Sequence, residues 1–151
     1  MKKVLNGGTA VGGSGSVRAD VRIDGEKVAA VGTGEEMERL ADEDTQIVDV
    51  EGCLLFPGFI DAHTHFDLHV AGTVTADDFA TGTRAAGRGG TPTIVDFGTQ
   101  YEGESLAEGL RNWPEKADGQ CSSASGFPMY ISDWNPSVRR ELRDMMDAGN
   151  H

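Results

Sequence analysis

From Phe59 onward the chain repeats one order three times, a short apolar run, a loop and then a segment with helical spacing. That order restricts the fold more than anything else in the sequence, because strands alternating with helices are the signature of parallel βαβ units. The strands are expected at residues 59–63, 93–97 and 126–131. Thr75, with Asp78 three residues on, predicts a capping box for a first helix running to Arg88 and stopped by Gly89-Gly90. Ser105 with Glu108 predicts the same for a second, whose Leu106, Leu110 and Trp113 form one apolar stripe before Pro114. Asn135-Pro136 opens a third, with Val138, Leu142, Met145 and Met146 facing inward and Gly149 at its C′ position. Two features oppose this reading. Pro128 falls inside the third strand, where a central strand would lack a ladder donor. Gly82 and Gly87 weaken the first helix by about 1 kcal/mol each relative to Ala.

The residues before this repeat follow a different rhythm. Val17, Ala19, Val21 and Ile23 alternate with Arg18, Asp20, Arg22 and Asp24, the period of a strand with one wet face. Asp24-Gly25 supplies a hairpin turn into a partner strand at residues 27–31. Shorter strands are expected at 2–5, 9–11 and 46–50, and one or two helical turns at 35–40. Two regions follow, a small β segment over residues 1–55 and βα units over 56–151. With 151 residues the chain is too short for a complete (β/α)₈ barrel, a fold that rarely falls below about 200 residues.

Charge narrows the range of partners. Thirteen basic against 25 acidic residues leave a formal charge of −12, which repels a phosphate backbone or an anionic membrane, so neither nucleic acid nor membrane is an expected partner. Cys53 and Cys121 form no C-x-x-C pair and no disulfide framework. The start of the chain has no apolar h-region and no segment approaches a membrane span. A cytoplasmic setting is expected.

The chemistry lies in Phe56-Pro57-Gly58-Phe59-Ile60-Asp61-Ala62-His63-Thr64-His65. Residues two apart on a strand share a face, which groups Asp61, His63 and His65. Neutral imidazole suits zinc and similar divalent metals, and a catalytic zinc keeps three protein ligands plus a water, so His63 and His65 are at most half a site. An H-x-H by itself is more often a pair of ordinary polar residues. For Asp61 two roles stay open, an acceptor that orients a ligand imidazole or a buried carboxylate bonded to neighbouring backbone. His69 is expected to be a solvated loop residue, Asp96 structural, Asp77 and Asp78 helix N-terminal charges, and Met145-Met146 core.

The flanking motifs change those odds. Pro57 to His65, followed by Gly72-Thr73-Val74-Thr75-Ala76-Asp77-Asp78-Phe79 and Gly82-Thr83-Arg84-Ala85-Ala86, resembles the dihydropyrimidinase and D-hydantoinase branch of the amidohydrolase superfamily. Gly89-Gly90-Thr91, Ile94-Val95-Asp96-Phe97 and Ile131-Ser132-Asp133-Trp134-Asn135 are similar to the same branch. The resemblance implies the N-terminal portion of a (β/α)₈ TIM-barrel metal-dependent hydrolase, its first three βα units preceded by a small β-sandwich segment. It also implies a site with two divalent metals, usually zinc, in which His63 and His65 hold one ion. The remaining ligands it implies, a bridging carboxylated lysine, two histidines and an aspartate, are expected beyond His151. No catalytic residue is therefore expected within this chain, and the chain alone is expected to be inactive.

The activity implied is hydrolysis of a cyclic amide C–N bond in a dihydropyrimidine or 5-substituted hydantoin, with a small cyclic ureide or imide as partner and a homo-oligomer as the complete protein. Leu68-His69-Val70 stands where hydantoinases carry a Pro and then an aromatic, so Leu68 and Val70 are expected to line the pocket for the ring substituent. Dihydroorotases place an Arg where this chain has Asp67, which disfavours a carboxylated ring. The alternative is a non-catalytic dihydropyrimidinase-like scaffold protein, against which retention of both histidines argues. A free-standing binding module ranks last, because three barrel strands alone would leave an open parallel edge.

Overall fold

The computed structural model describes residues 1–34, 37, 39, 40 and 42–147. The helical turns expected at 35–40 therefore fall partly outside the described residues, as do Gly149 and His151. The chain forms two compact units, Met1–Pro57 and Gly58–His151.

The first unit is built of strands β1 (Lys2–Asn6), β2 (Thr9–Gly12), β3 (Gly15–Arg18), β4 (Asp20–Asp24), β5 (Lys27–Gly32), β6 (Thr45–Asp49) and β7 (Leu54–Leu55). One sheet has the order β5-β4-β1-β6 and another β3-β2-β7. β1 runs antiparallel to β4 and parallel to β6. The alternation expected to make a single strand through Val17 and Ile23 is instead divided between the two sheets at Ala19. Ala19 is buried and its N–H donates to Gly8 O, while the buried Asp20 carboxylate accepts the Gly7 N–H at 2.7 Å. Those bonds hold the chain where it changes sheets, which alternation cannot signal because the period continues across the break. The hairpin loop is Gly25-Glu26, one residue later than expected, with Asp24 paired to Lys27 and Gly25 at φ 61. Val4, Ala19 and Met37 are buried, whereas Val17, Val28, Val31 and Ile47 are exposed.

The second unit begins with β8 (Ile60–Thr64), then the hairpin β9 (His69–Val70) and β10 (Thr73–Val74), and helix α1 (Phe79–Arg88). β11 (Thr93–Asp96), β12 (Gly98–Gln100) and α2 (Leu106–Ala117) follow, then β13 (Ala124–Gly126), β14 (Met129–Ile131) and α3 (Pro136–Asp147). β11 lies between β13 and β8 and is parallel to both, and β12 is parallel to β14. Among the described residues no helix is long and apolar enough to cross a membrane.

Local chemistry explains these elements and corrects several expectations. Asp78, not Thr75, caps α1, accepting Thr81 N–H at 2.7 Å while Thr81 Oγ1 accepts Asp78 N–H. The Thr75 hydroxyl instead accepts the Leu68 N–H at 3.0 Å and ties down the loop after β8. Ser105 caps α2 as expected, but α2 runs through Pro114 to Ala117. The expected third strand is two short ones. Pro128 separates β13 from β14, so its missing N–H interrupts no ladder, and its carbonyl accepts the Gly98 N–H at 2.9 Å. On α3, Asn135 Oδ1 accepts from Ser137 and Val138 N–H, and Val138 is buried, but Met146 is 53% exposed rather than core. The core joins Phe79, Ile94, Trp113 and Ala117, with Phe66, Leu68 and Phe127 packed against it. Gly82, costly to a helix, is where the Phe66 ring lies: a Cβ there would stand 2.2 Å from it.

Candidate metal centre

β8 does not run evenly along β11. Ile94 pairs with Asp61 and Asp96 with Thr64, so three steps on β8 match two on β11. The extra residue falls at Ala62-His63, a bulge of the kind that re-aims a side chain. Beyond it, Nε2 of His63 and Nε2 of His65 are 3.0 Å apart, with ring centroids at 4.9 Å. The bulge also interrupts the alternation that grouped Asp61 with the histidines. Asp61 is exposed, and its Oδ1 accepts the His63 main-chain N–H at 3.2 Å.

The donor set fits part of a metal site. Two nitrogens bound tetrahedrally to one zinc at their usual bond lengths stand roughly 3.3 Å apart, close to the separation of these two imidazoles. Among the described residues, no group of three His, Cys, Asp or Glu side chains is arranged to hold a metal ion. His63 and His65 could thus supply two ligands of one ion, leaving the other positions to donors outside this set.

The histidines open on a cleft of about 340 Å³. Leu68, His69 and Val70 line it from the segment after β8, and Phe97, Thr99 and Tyr130 from later in the unit. His69, exposed as expected, is thus also part of this wall. The Phe97 ring centroid is 4.6 Å from that of His63 and 5.8 Å from that of His65, so one aromatic face touches both imidazoles. Sequence reasoning missed Phe97, Thr99 and Tyr130; the only signal was that Phe97 closes an apolar run, as His63 does.

Behind the cleft sits Asp96, 0% exposed. Its Oδ2 accepts from the Thr64 hydroxyl at 2.8 Å and from the Phe66 N–H at 2.9 Å, while its buried Oδ1 has no hydrogen-bond partner among the described residues. Burial pushes its carboxyl above the usual carboxylate range, opposed by those two hydrogen bonds. The loop is secured separately. Asp67 adopts a left-handed backbone at φ 47, and its carboxylate meets Lys116 Nζ at 3.0 Å, with Lys116 also 4.4 Å above the Trp113 ring. Asp67 is therefore paired to α2.

The profile of the amidohydrolase family matches residues 54–149. The chain is 40% identical over 148 residues to a D-hydantoinase of Streptomyces coelicolor, covering 98% of this chain and 32% of that protein. It is 34% identical to a dihydropyrimidinase of Dictyostelium discoideum, over 92% of this chain and 27% of that one. The crystal structure of dihydropyrimidinase from Brevibacillus agri superposes with a TM-score of 0.85 at 44% identity, covering 99% of this chain and 31% of that chain. This chain thus spans about a third of the length of the curated D-hydantoinases it matches. On the family profile and these likenesses, the chain belongs to the amidohydrolase family, in its D-hydantoinase and dihydropyrimidinase branch.

Proposed function

We propose that this chain is one portion of a metal-dependent hydrolase that opens a cyclic amide, a dihydropyrimidine or a 5-substituted hydantoin. The observation that carries the reading is the convergence of His63 and His65 beside a cleft at the C-terminal end of β8, the end at which barrel enzymes place their chemistry. A bound divalent metal, two zinc ions in the full site with a carboxylated lysine from beyond His151, supplies Lewis acidity and an activated water near neutral pH.

The residues of this chain act around that chemistry. His63 and His65 would hold one ion. Phe97 packs beside both rings, and Asp61 fixes the backbone at His63 through its hydrogen bond. Leu68 and Val70 form the apolar wall for the ring substituent, which differs between substrates, whereas the amide carbonyl is common to them all. In the same proposal residues 1–55 are part of a small β-sandwich, residues 56–151 are the first three βα units of the barrel, and the complete protein is a cytoplasmic homo-oligomer.

The test is metal content and turnover of the full-length protein containing this chain. Bound zinc, with hydrolysis of dihydrouracil or hydantoins that is lost on chelation and restored by metal, is the expected result. A folded full-length protein that binds no metal and turns over neither substrate would instead be the scaffold relative. The 151-residue chain alone is expected to hydrolyse neither.

A further inference from the structure

We infer that Asp96 is a positioning residue for the candidate metal centre: its buried carboxylate clamps the Thr64–Phe66 turn and so holds the bulge that brings His63 and His65 together. This rests on the metal reading above. Among the described residues β8 is hydrogen-bonded to β11, and that ladder changes register just before Thr64. A bulge loosens the end that carries the imidazoles, since the extra residue lacks a ladder partner.

Asp96 stands where this slack would be taken up. It is the β11 residue paired with Thr64, directly after the bulge. Through one oxygen it binds the side chain of Thr64, between the two histidines, and the main chain of Phe66, just after His65. The next residue completes the holder: Phe97 N–H donates to Thr64 O at 3.2 Å, and its ring lies against both imidazoles. Asp96 thus grips β8 through Thr64 and Phe66, while the Phe97 ring lies beside the imidazoles.

The experiment uses Co(II) loaded into the chelator-stripped full-length protein, reading its visible ligand-field spectrum and its rate of release to a competing chelator. Asp96→Ala is expected to change the spectrum and to weaken retention about 10- to 100-fold, the usual effect of removing a residue that orients a ligand. Asp96→Asn keeps a carbonyl oxygen able to accept both bonds and is expected to stay within a few-fold of wild type. Thr64→Val removes one of the two bonds and should fall between them; it decides the matter if Asp96→Ala does not fold. Thr83→Val, at a buried hydroxyl bonded to Phe79 O and Ser122 N–H, serves as control and should lower stability without altering the spectrum. Wild-type spectrum and retention in Asp96→Ala, or in Thr64→Val where that variant decides, would overturn the clamp and leave the metal reading standing. Equal losses in Asp96→Asn and Asp96→Ala would overturn it in favour of charge. A wild-type protein that takes up no Co(II) would overturn the metal reading, and the clamp with it.

Discussion

β8 and β11 are parallel neighbours in one sheet, yet they are held in opposite ways. β11 is central, with Ile94 and Asp96 both 0% exposed and Ile94 in the aromatic core. In this chain β8 pairs, among the described residues, with β11, and four of its five residues are exposed. The side chains suited to bind a metal sit on and just beyond the strand with less packing of its own. In the proposed clamp their geometry is set from β11, through the ladder, the Asp96 carboxylate and the Phe97 ring. A site can be precise on a weakly packed strand if the neighbouring strand is rigid.

The sharpest way to break this comparison is to remove the imidazoles. In the full-length protein His63→Ala or His65→Ala is expected to lose bound metal at one position, by elemental analysis, and to lower kcat/KM by more than about 100-fold, beyond the effect of losing a mere supporting residue. His69→Ala should leave metal content intact, and equal loss in all three variants would make the loop histidine a ligand. Next in size is the contrast in packing within the 151-residue chain. Ile94→Ala should destabilise it by about 2–5 kcal/mol in urea unfolding, while Ile60→Ala should change it by less than about 0.5 kcal/mol. Comparable losses would show that β8 carries its own support.

A pair of glycines sharpens the picture at the turn after His65. Gly82→Ala would drive a Cβ to 2.2 Å from Phe66, and is expected to cost about 1–3 kcal/mol despite the better helix propensity of Ala. Gly87, on the same helix with nothing within 4 Å, should gain about 0.5–1 kcal/mol on change to Ala. Thermal melts of both distinguish a docking glycine from a merely tolerated one. An effect as small as that at Gly87 is expected at the hairpin of the cleft wall, where Ala71 and Gly72 adopt φ 51 and 77. Such a two-residue turn favours Asn-Gly, and Ala71→Asn should stabilise by about 0.5–1 kcal/mol. Melting at a lower temperature would mean that the turn is not what limits this loop.

Much of this is legible in the sequence. The three strand-helix repeats, the Ser105 cap, Asn135-Pro136 at the start of α3 and the adjacent His63 and His65 all rest on local rules, and the structure has these elements. The misses share a cause. Thr75 and Asp78 both suit a cap, and only the path of the loop decided that Thr75 bonds Leu68 while Asp78 caps α1. Met146 fits the apolar stripe of α3 but is 53% exposed, with no element covering it among the described residues. Pro128 looked like a flaw in one strand because nothing local says that two strands of different sheets meet there.

The sequence by itself determined which side chains were available and which local conformations were favoured, because periodicity, caps and turns depend on residues within a few positions of each other. Only the tertiary structure decided the bulge at Ala62-His63, the separation of the two imidazoles, and the placing of Asp96 against Thr64 and of Phe97 beside the rings. Each of these depends on the register between β8 and β11, whose paired residues are some 30 positions apart in the chain. Register is set by what the whole sheet can bury and pair at once, and no local rule carries that information.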